Sequence, residues 1–431
     1  MDIFENILTG EKSSKYRTNH FHMFVDDDVC IPEVQNMSDS AFGTLMHEYS
    51  HYIQHITTLF GIRICDIFHK MSIIYREYIL EHDVIQLPLC LWENDEHLSQ
   101  FLVHFNNVSG CKSCNFHIDA VDINESDIEL ARANKSAVKI GCYDFENNKV
   151  YESGFNFGYV CVMESMAHEI QKILTPDIFH PEIPYCAAEL ILREYYPEIS
   201  KDSRLIASIC YCALHWDNPG VGFFEVVNIA KRNPALNGIE LYKHIAQDYS
   251  VSFKGKSMPR YRLIVSFLLE FIKNLEQVIG NHLDYYKSVM ENCIDEACSS
   301  TSRLLEVLYN IQPNDKKALF NSLTGFYGYP VIDAKNYTFL PKKVVDGRER
   351  PYLETAVLFG WELILTRLLE INGNKECDRL PICSKSIYSN PEQCKVSEFC
   401  RYAPWNNTEE CPFTQCMKYY KFNDKKLIES N

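Results

Sequence analysis

The chain lacks any apolar run long enough to cross a bilayer. Its longest such stretches, for example Leu205 to Leu214, fall well short of the roughly 20 residues that a spanning helix needs, so a membrane is not an expected partner. It also lacks a surplus of positive charge: 58 acidic against 42 basic side chains leave a net charge of −16. Such a balance repels phosphate-rich surfaces, which sets nucleic acid aside as partner or substrate. Nor does the start, MDIFENILTGEKSSK, carry a basic segment followed by an apolar one, so the expected location is cytoplasmic. No internal repeat or low-complexity tract is visible. What remains is ordinary for a globular protein: 46% hydrophobic and 23% charged residues in a chain of 431, long enough for two or three domains.

The cysteines are plentiful, 18 in all. In a reducing compartment they read as thiols or metal ligands and not as disulfides. Most stand singly in apolar segments, as Cys161, Cys210 and Cys212 do, and are expected to be small buried residues. Cys111 and Cys114 have the spacing of a zinc knuckle, with His117 following and Cys142 as the nearest further thiol. These four are candidates for a second, structural zinc. Six more, Cys377, Cys383, Cys394, Cys400, Cys411 and Cys416, crowd the C-terminal region at spacings looser than common zinc ribbons.

The most specific pattern is His47-Glu48-Tyr49-Ser50-His51. On a helix this H-E-x-x-H spacing sets two imidazoles one turn apart with a carboxylate beside them. The segment from Ser38 to Gly61 reads as one amphipathic helix, starting at Ser38 or Asp39 and stopping at Gly61. Phe42, Leu45, Met46, Tyr49, Ile53, Ile56 and Phe60 share one face and the two histidines the other, which predicts a helix covered on both sides. A catalytic zinc needs a third protein ligand. Glu164 is the leading candidate, from a second helical pattern at Gly158 to Leu174 whose apolar face holds Tyr159, Val162, Met163, Met166, Ile170 and Ile173. Ala167 beside it allows close helix approach. His168, Glu169 and His55 are fallback ligands.

These two segments together resemble the zincin metallopeptidases, in particular the gluzincin branch, in which a Glu on a later helix completes the H-E-x-x-H site. The resemblance covers about forty residues. It implies a zinc-dependent peptidase with His47, His51 and Glu164 as metal ligands and Glu48 as general base. It also gives His168 the slot of a residue that supports a ligand imidazole. One departure stands out: the 112 residues from position 52 to 163 separate the two motifs, where many relatives have a few tens.

The mechanism such a site implies has the metal acidify water and polarise a carbonyl, while Glu48 carries the proton to the departing amine. His215 and Tyr185 are weighed as donors to the oxyanion, each also readable as a core or surface residue. The expected substrate is an intracellular protein or peptide, with a regulatory protein as a further candidate partner. Two other functions compete: a non-catalytic interaction module stabilised by metal, and a zinc hydrolase acting on a non-peptide amide.

The expected fold is α+β and predominantly helical. A zincin-like core, a small sheet plus active-site helices, would occupy 1–175 with an insertion at about 93–150. A helical subdomain would follow at 176–345, then a C-terminal helix and Cys-rich tail at 346–431. Upstream of the metal motif, HFHMFVDDDV (His20 to Val29) alternates like a strand, as a zincin sheet requires.

Overall fold

A computed structural model describes residues 15–17, 21–89, 91, 95–113, 117–145, 149–248, 250–253, 256–280, 283–334, 338–369, 398–406 and 411–429. The fold is mostly helical with small sheets, as the periodicity predicts. The alternating segment upstream of the motif is a strand: β1 (Lys15–Arg17) pairs antiparallel with β2 (His22–Val25). Phe21, Met23 and Val25 point into the core, with no exposed surface.

Next come α1 (Asp39–Thr57) and α2 (Leu59–Glu81). The expected start holds, since Ser38 Oγ accepts from the Ala41 N–H at 3.1 Å. The expected stop at Gly61 does not. The chain turns at Thr58, whose hydroxyl donates to the Gln54 carbonyl and also accepts from the Gly61 N–H, so one residue closes α1 and caps α2. Gly61 lies in the first turn of α2, where a Cβ would come 2.2 Å from the Gln54 carbonyl oxygen. The glycine allows a tight corner between two helices and does not end one.

After β3 (Val84–Leu87) the segment expected as an insertion forms α3 (Glu96–Asn107), β4 (Ala120–Asp122), α4 (Glu125–Asn134) and β5 (Val138–Asp144). With β6 (Lys149–Phe157) it builds an antiparallel sheet in the order β4-β5-β6. It is not set apart from the rest. Phe105 of α3 packs against Phe60 and Tyr159, with ring centroids 6.0 and 4.4 Å away, which ties it to the corner of α1 and α2.

β6 leads straight into α5 (Tyr159–Leu174), the second expected ligand helix. A short helical turn (Glu182–Tyr185) and α6 (Ala187–Tyr195) follow, then α7 (Ser203–Ala213), α8 (Pro219–Arg232) and α9 (Gly238–Asp248). The hairpin β7 (Ser250–Phe253) and β8 (Lys256–Pro259) precedes α10 (Arg260–Ile279), which lies along α2. Two helices follow, α11 (Asp284–Ser299) and α12 (Arg303–Asn310). Ser300 separates them in a left-handed conformation, and Ser302 caps the second.

After α13 (Lys316–Tyr327), β9 (Val331–Ala334) joins β2 in parallel and β10 (Thr338–Phe339) completes the sheet β1-β2-β9-β10. A hairpin, β11 (Lys342–Val345) and β12 (Arg348–Pro351), leads to α14 (Leu353–Leu369). The C-terminal region adds α15 (Pro412–Tyr419) and β13 (Lys426–Glu429), and β13 pairs in parallel with β3. One apolar cluster runs from Phe21 to Phe422, crossing both expected domain boundaries. Among the described residues no helix is long and apolar enough to cross a membrane.

Candidate metal centre

The site forms where α1 and α5 lie side by side, antiparallel. Gly43, near the start of α1, faces Gln171 and Thr175 at the end of α5, while Gln54 near the end of α1 meets Met163 near the start of α5. As the periodicity predicts, α1 is covered on both faces: Phe42, Leu45, Met46, Tyr49, Ile53 and Ile56 are buried, and so are His47, Glu48 and His51. On α5, Val162, Met166, Ala167 and Ile170 are fully buried, and the small Ala167 permits the close approach.

That approach brings together residues 117 positions apart. Glu164 Oε2 lies 3.2 Å from His47 Nε2 and 3.4 Å from His51 Nε2. The three side chains form a group able to hold a metal ion. Zinc bonds of about 2.0–2.1 Å in a tetrahedron put neighbouring ligand atoms about 3.3 Å apart, whereas a charge-assisted N–H···O bond is about 2.7–2.9 Å. The observed separations fit the edges of a coordination tetrahedron better than they fit hydrogen bonds. The two imidazoles are buried while the Glu164 side chain keeps 26% of its surface exposed, so the cluster opens on one side.

Charges reinforce the grouping. Burial opposes protonation of His51, yet the Glu164 carboxylate beside it outweighs that and raises its pKa to about 9 in the metal-free chain. Burial likewise acts to raise the Glu164 pKa, but His51 and the contacts from both imidazoles hold it well below the usual carboxylate range. A divalent ion would satisfy the same carboxylate while leaving both histidines neutral.

The surroundings of the three side chains differ from the expectation at His168. Its Nδ1 faces His180 Nδ1 at 3.1 Å and its Nε2 faces the Cys186 thiol at 3.6 Å, so no ligand imidazole rests on it directly. Support for His51 comes instead from Gln54, whose Oε1 lies 2.9 Å from His51 Nδ1. The Gln54 amide nitrogen donates to the Met163 carbonyl at 2.9 Å, beside Glu164. One buried side chain therefore joins both ligand helices. His47 Nδ1 is buried without a hydrogen-bond partner.

Two aromatic neighbours complete the wall. Tyr185 packs on His47 with ring centroids 5.8 Å apart, and His180 does so at 5.6 Å. Burial, with Glu164 and Glu48, pushes the Tyr185 pKa up, so the phenol keeps its proton and remains a donor. Burial and then His47 lower the His180 pKa to about 4. Gln54 and His180 are the functional neighbours that sequence reasoning missed. The signal for Gln54 is its position three residues after His51 on one helix face. His180, in a loop, gives no periodic signal.

Other candidates lie elsewhere. His55 continues the histidine row, but its Nδ1 contacts the His51 carbonyl at 2.6 Å and its ring packs on Tyr16. His215 is buried between Tyr211 and Tyr242, with neither ring nitrogen hydrogen-bonded, in an aromatic pocket and not at the metal cluster. Burial pushes the Glu169 pKa up to about 7, and its carboxylate groups with His168 and Glu189, not with His47 and His51. The expected knuckle does not assemble among the described residues. Cys111 Sγ accepts from the Asn156 N–H, Cys142 is buried against its own strand, and the exposed His117 pairs with Glu182 and Asp119. Cys114 lies outside the described residues, as do Cys377, Cys383 and Cys394. Of the remaining tail cysteines, Cys411 caps α15 and Cys416 packs on Gly360 of α14.

No family model, curated protein or solved structure matches this chain.

Proposed function

We propose that the chain is a zinc-dependent hydrolase of peptide bonds, with His47, His51 and Glu164 as metal ligands and Glu48 as general base. The observation that carries this reading is the approach of His47 Nε2 and His51 Nε2 to one oxygen of Glu164 at 3.2 and 3.4 Å, two tetrahedral edge lengths, from residues up to 117 positions apart. Packing alone gives no reason for two imidazoles to converge on one carboxylate oxygen. Zinc held there would supply a Lewis acid that polarises a carbonyl and acidifies water.

The remaining steps belong to the protein. Glu48, buried and adjacent to the first ligand in sequence, would accept a proton from the attacking water and deliver it to the departing amine. The protonated Tyr185 would donate to the oxyanion of the tetrahedral intermediate. Gln54 holds the proton of His51 on Nδ1, which leaves Nε2 free to bind metal.

A peptide is favoured as substrate by the strand beside α1. β1 ends the sheet order β1-β2-β9-β10, and its Tyr16 packs 5.4 Å from His55, one turn beyond His51. Among the described residues β1 is an edge strand, and such an edge packed along the ligand helix would offer main-chain pairing to an extended peptide. The test compares two variants of the full chain. Glu48→Gln should retain zinc and lose hydrolysis of a peptide library by about 10²–10⁴-fold. His47→Ala should lose both. Full activity in Glu48→Gln refutes the assigned base, and a wild-type chain that binds zinc without any hydrolysis favours the non-catalytic module.

A further inference from the structure

One turn beyond Glu164 on α5, a second group of ligands converges. A ring nitrogen of His168 and one carboxylate oxygen each from Glu169 and Glu189 lie within 4.8 Å of one another. Glu169 is completely buried, and neither of its oxygens meets hydrogen-bond geometry with any neighbour. Among the described residues the cation beside the pair is Lys172, whose ammonium stands 3.8 Å from Glu169 and 2.6 Å from Glu189, so it is committed mainly to the latter.

Two carboxylates side by side, one of them sealed from water and met by the Ser203 hydroxyl and a Lys172 ammonium 3.8 Å away, are costly unless something more strongly charged than a shared ammonium joins them. The imidazole is prepared in the way a ligand requires. His168 Nδ1 is engaged with His180, so Nε2, which stands 3.6 Å from the Cys186 thiol, is the ring atom left to take an ion. An N/O₂ donor set of this kind suits a divalent transition ion with water filling its remaining positions.

We propose that His168, Glu169 and Glu189 hold a second divalent metal ion, Zn2+ or Mn2+, beside the first centre. This site does not depend on the hydrolase reading, since none of its three donors belongs to the His47 cluster. Lys172 occupies the mouth in the metal-free chain. Its side chain is 31% exposed and can swing into solvent when the ion enters. The bound ion would also orient His180 through His168, and His180 packs on His47.

The test is a calorimetric titration of the full chain with Mn2+, which thiols bind weakly, so that the cysteine-rich tail contributes little. It compares the wild type with His51→Ala, Glu189→Gln and Lys172→Met, after chelator treatment and with circular dichroism as the check on folding. Glu189 is partly exposed, so its variant keeps the fold. The expected results are one equivalent fewer in Glu189→Gln, retention of that equivalent in His51→Ala, and binding about tenfold tighter in Lys172→Met. Unchanged stoichiometry in Glu189→Gln, with no tightening in Lys172→Met, overturns the second site and leaves Lys172 as the plain counter-ion. If His51→Ala binds as many equivalents as the wild type, the first site fails while the second stands.

Discussion

Gln54→Leu removes a buried side chain that bridges α1 and α5, and its consequences can be worked from two contacts. In the native chain Gln54 has no exposed surface, accepts from His51 Nδ1 at 2.9 Å and donates to the Met163 carbonyl at 2.9 Å. Leucine is close in volume but satisfies neither group, so two buried polar atoms lose their partners, at about 1–3 kcal/mol each. The imidazole also loses the acceptor that keeps its proton on Nδ1, and outer partners of this kind are worth about 10–100-fold in metal affinity. That range corresponds to about 1.4–2.7 kcal/mol. For a chain of this length, melting as one unit, 1 kcal/mol moves the midpoint by only about 1 °C. Melting curves would therefore mix the stability loss with the metal effect. Competition for Zn2+ against a chromogenic chelator separates them, because it reads affinity directly. The expected result is zinc binding weakened about 10–100-fold in Gln54→Leu. In Gln54→Glu the acceptor remains and affinity should be close to native, even though the tether to Met163 is lost. Affinity in Gln54→Leu within about twofold of the wild type would refute the tautomer argument and reduce Gln54 to a structural tie.

Other expectations follow from the same geometry. Tyr185→Phe should lower kcat by about 10²–10³-fold with little change in KM, read by peptide hydrolysis, if the phenol serves the oxyanion. Burial, then Arg260, lowers the His215 pKa to about 3, below its ordinary value of 6.5. Its folded-state pKa is depressed, so the stability it contributes is present above pH 6.5 and is lost as pH falls toward 3, up to about 5 kcal/mol. His215→Phe should flatten that part of the stability profile in urea titrations, and an unchanged slope would contradict the assignment. Gly61→Ala places a Cβ 2.2 Å from the Gln54 carbonyl and should cost about 1–3 kcal/mol in denaturant unfolding. A chain ending at Leu369 would lose the Tyr420 and Phe422 side chains that cover Trp361, along with β13 from its pairing with β3. At about 1.5–3 kcal/mol per buried aromatic, it should unfold more readily. Native stability in that shortened chain would mean the tail is a detachable module.

What could be read without coordinates is what a single helix dictates. Four residues make about one turn, so His47 and His51 face the same way wherever their helix sits, and Ser38 caps it through a bond to a residue three positions on. The same periodicity finds α5 from its apolar row of Tyr159, Val162, Met163, Met166, Ile170 and Ile173. It fails where the signal is not periodic: the turn at Thr58 arises from two hydroxyl contacts that no hydrophobic pattern encodes. The knuckle read at Cys111 and Cys114 rested on spacing alone, and spacing does not say that Cys142 is fully buried on a paired strand while His117 is exposed and pairs with Glu182.

The choice of third ligand shows the division most clearly. Glu164, His168, Glu169 and His55 all had suitable chemistry, and no local rule ranks their distances to His47. Residues 164 and 169 are five apart on one helix, hence about 140° apart around its axis, so only one of them can face α1. Which one does is decided by the rotation of α5 against α1, set by Ala167, Gly43 and the Gln54 bridge together. Short-range geometry is written in each segment, because the backbone repeats every 3.6 residues whatever surrounds it. The meeting of segments 117 positions apart depends on the whole packed core, and it became legible only once that core was in place.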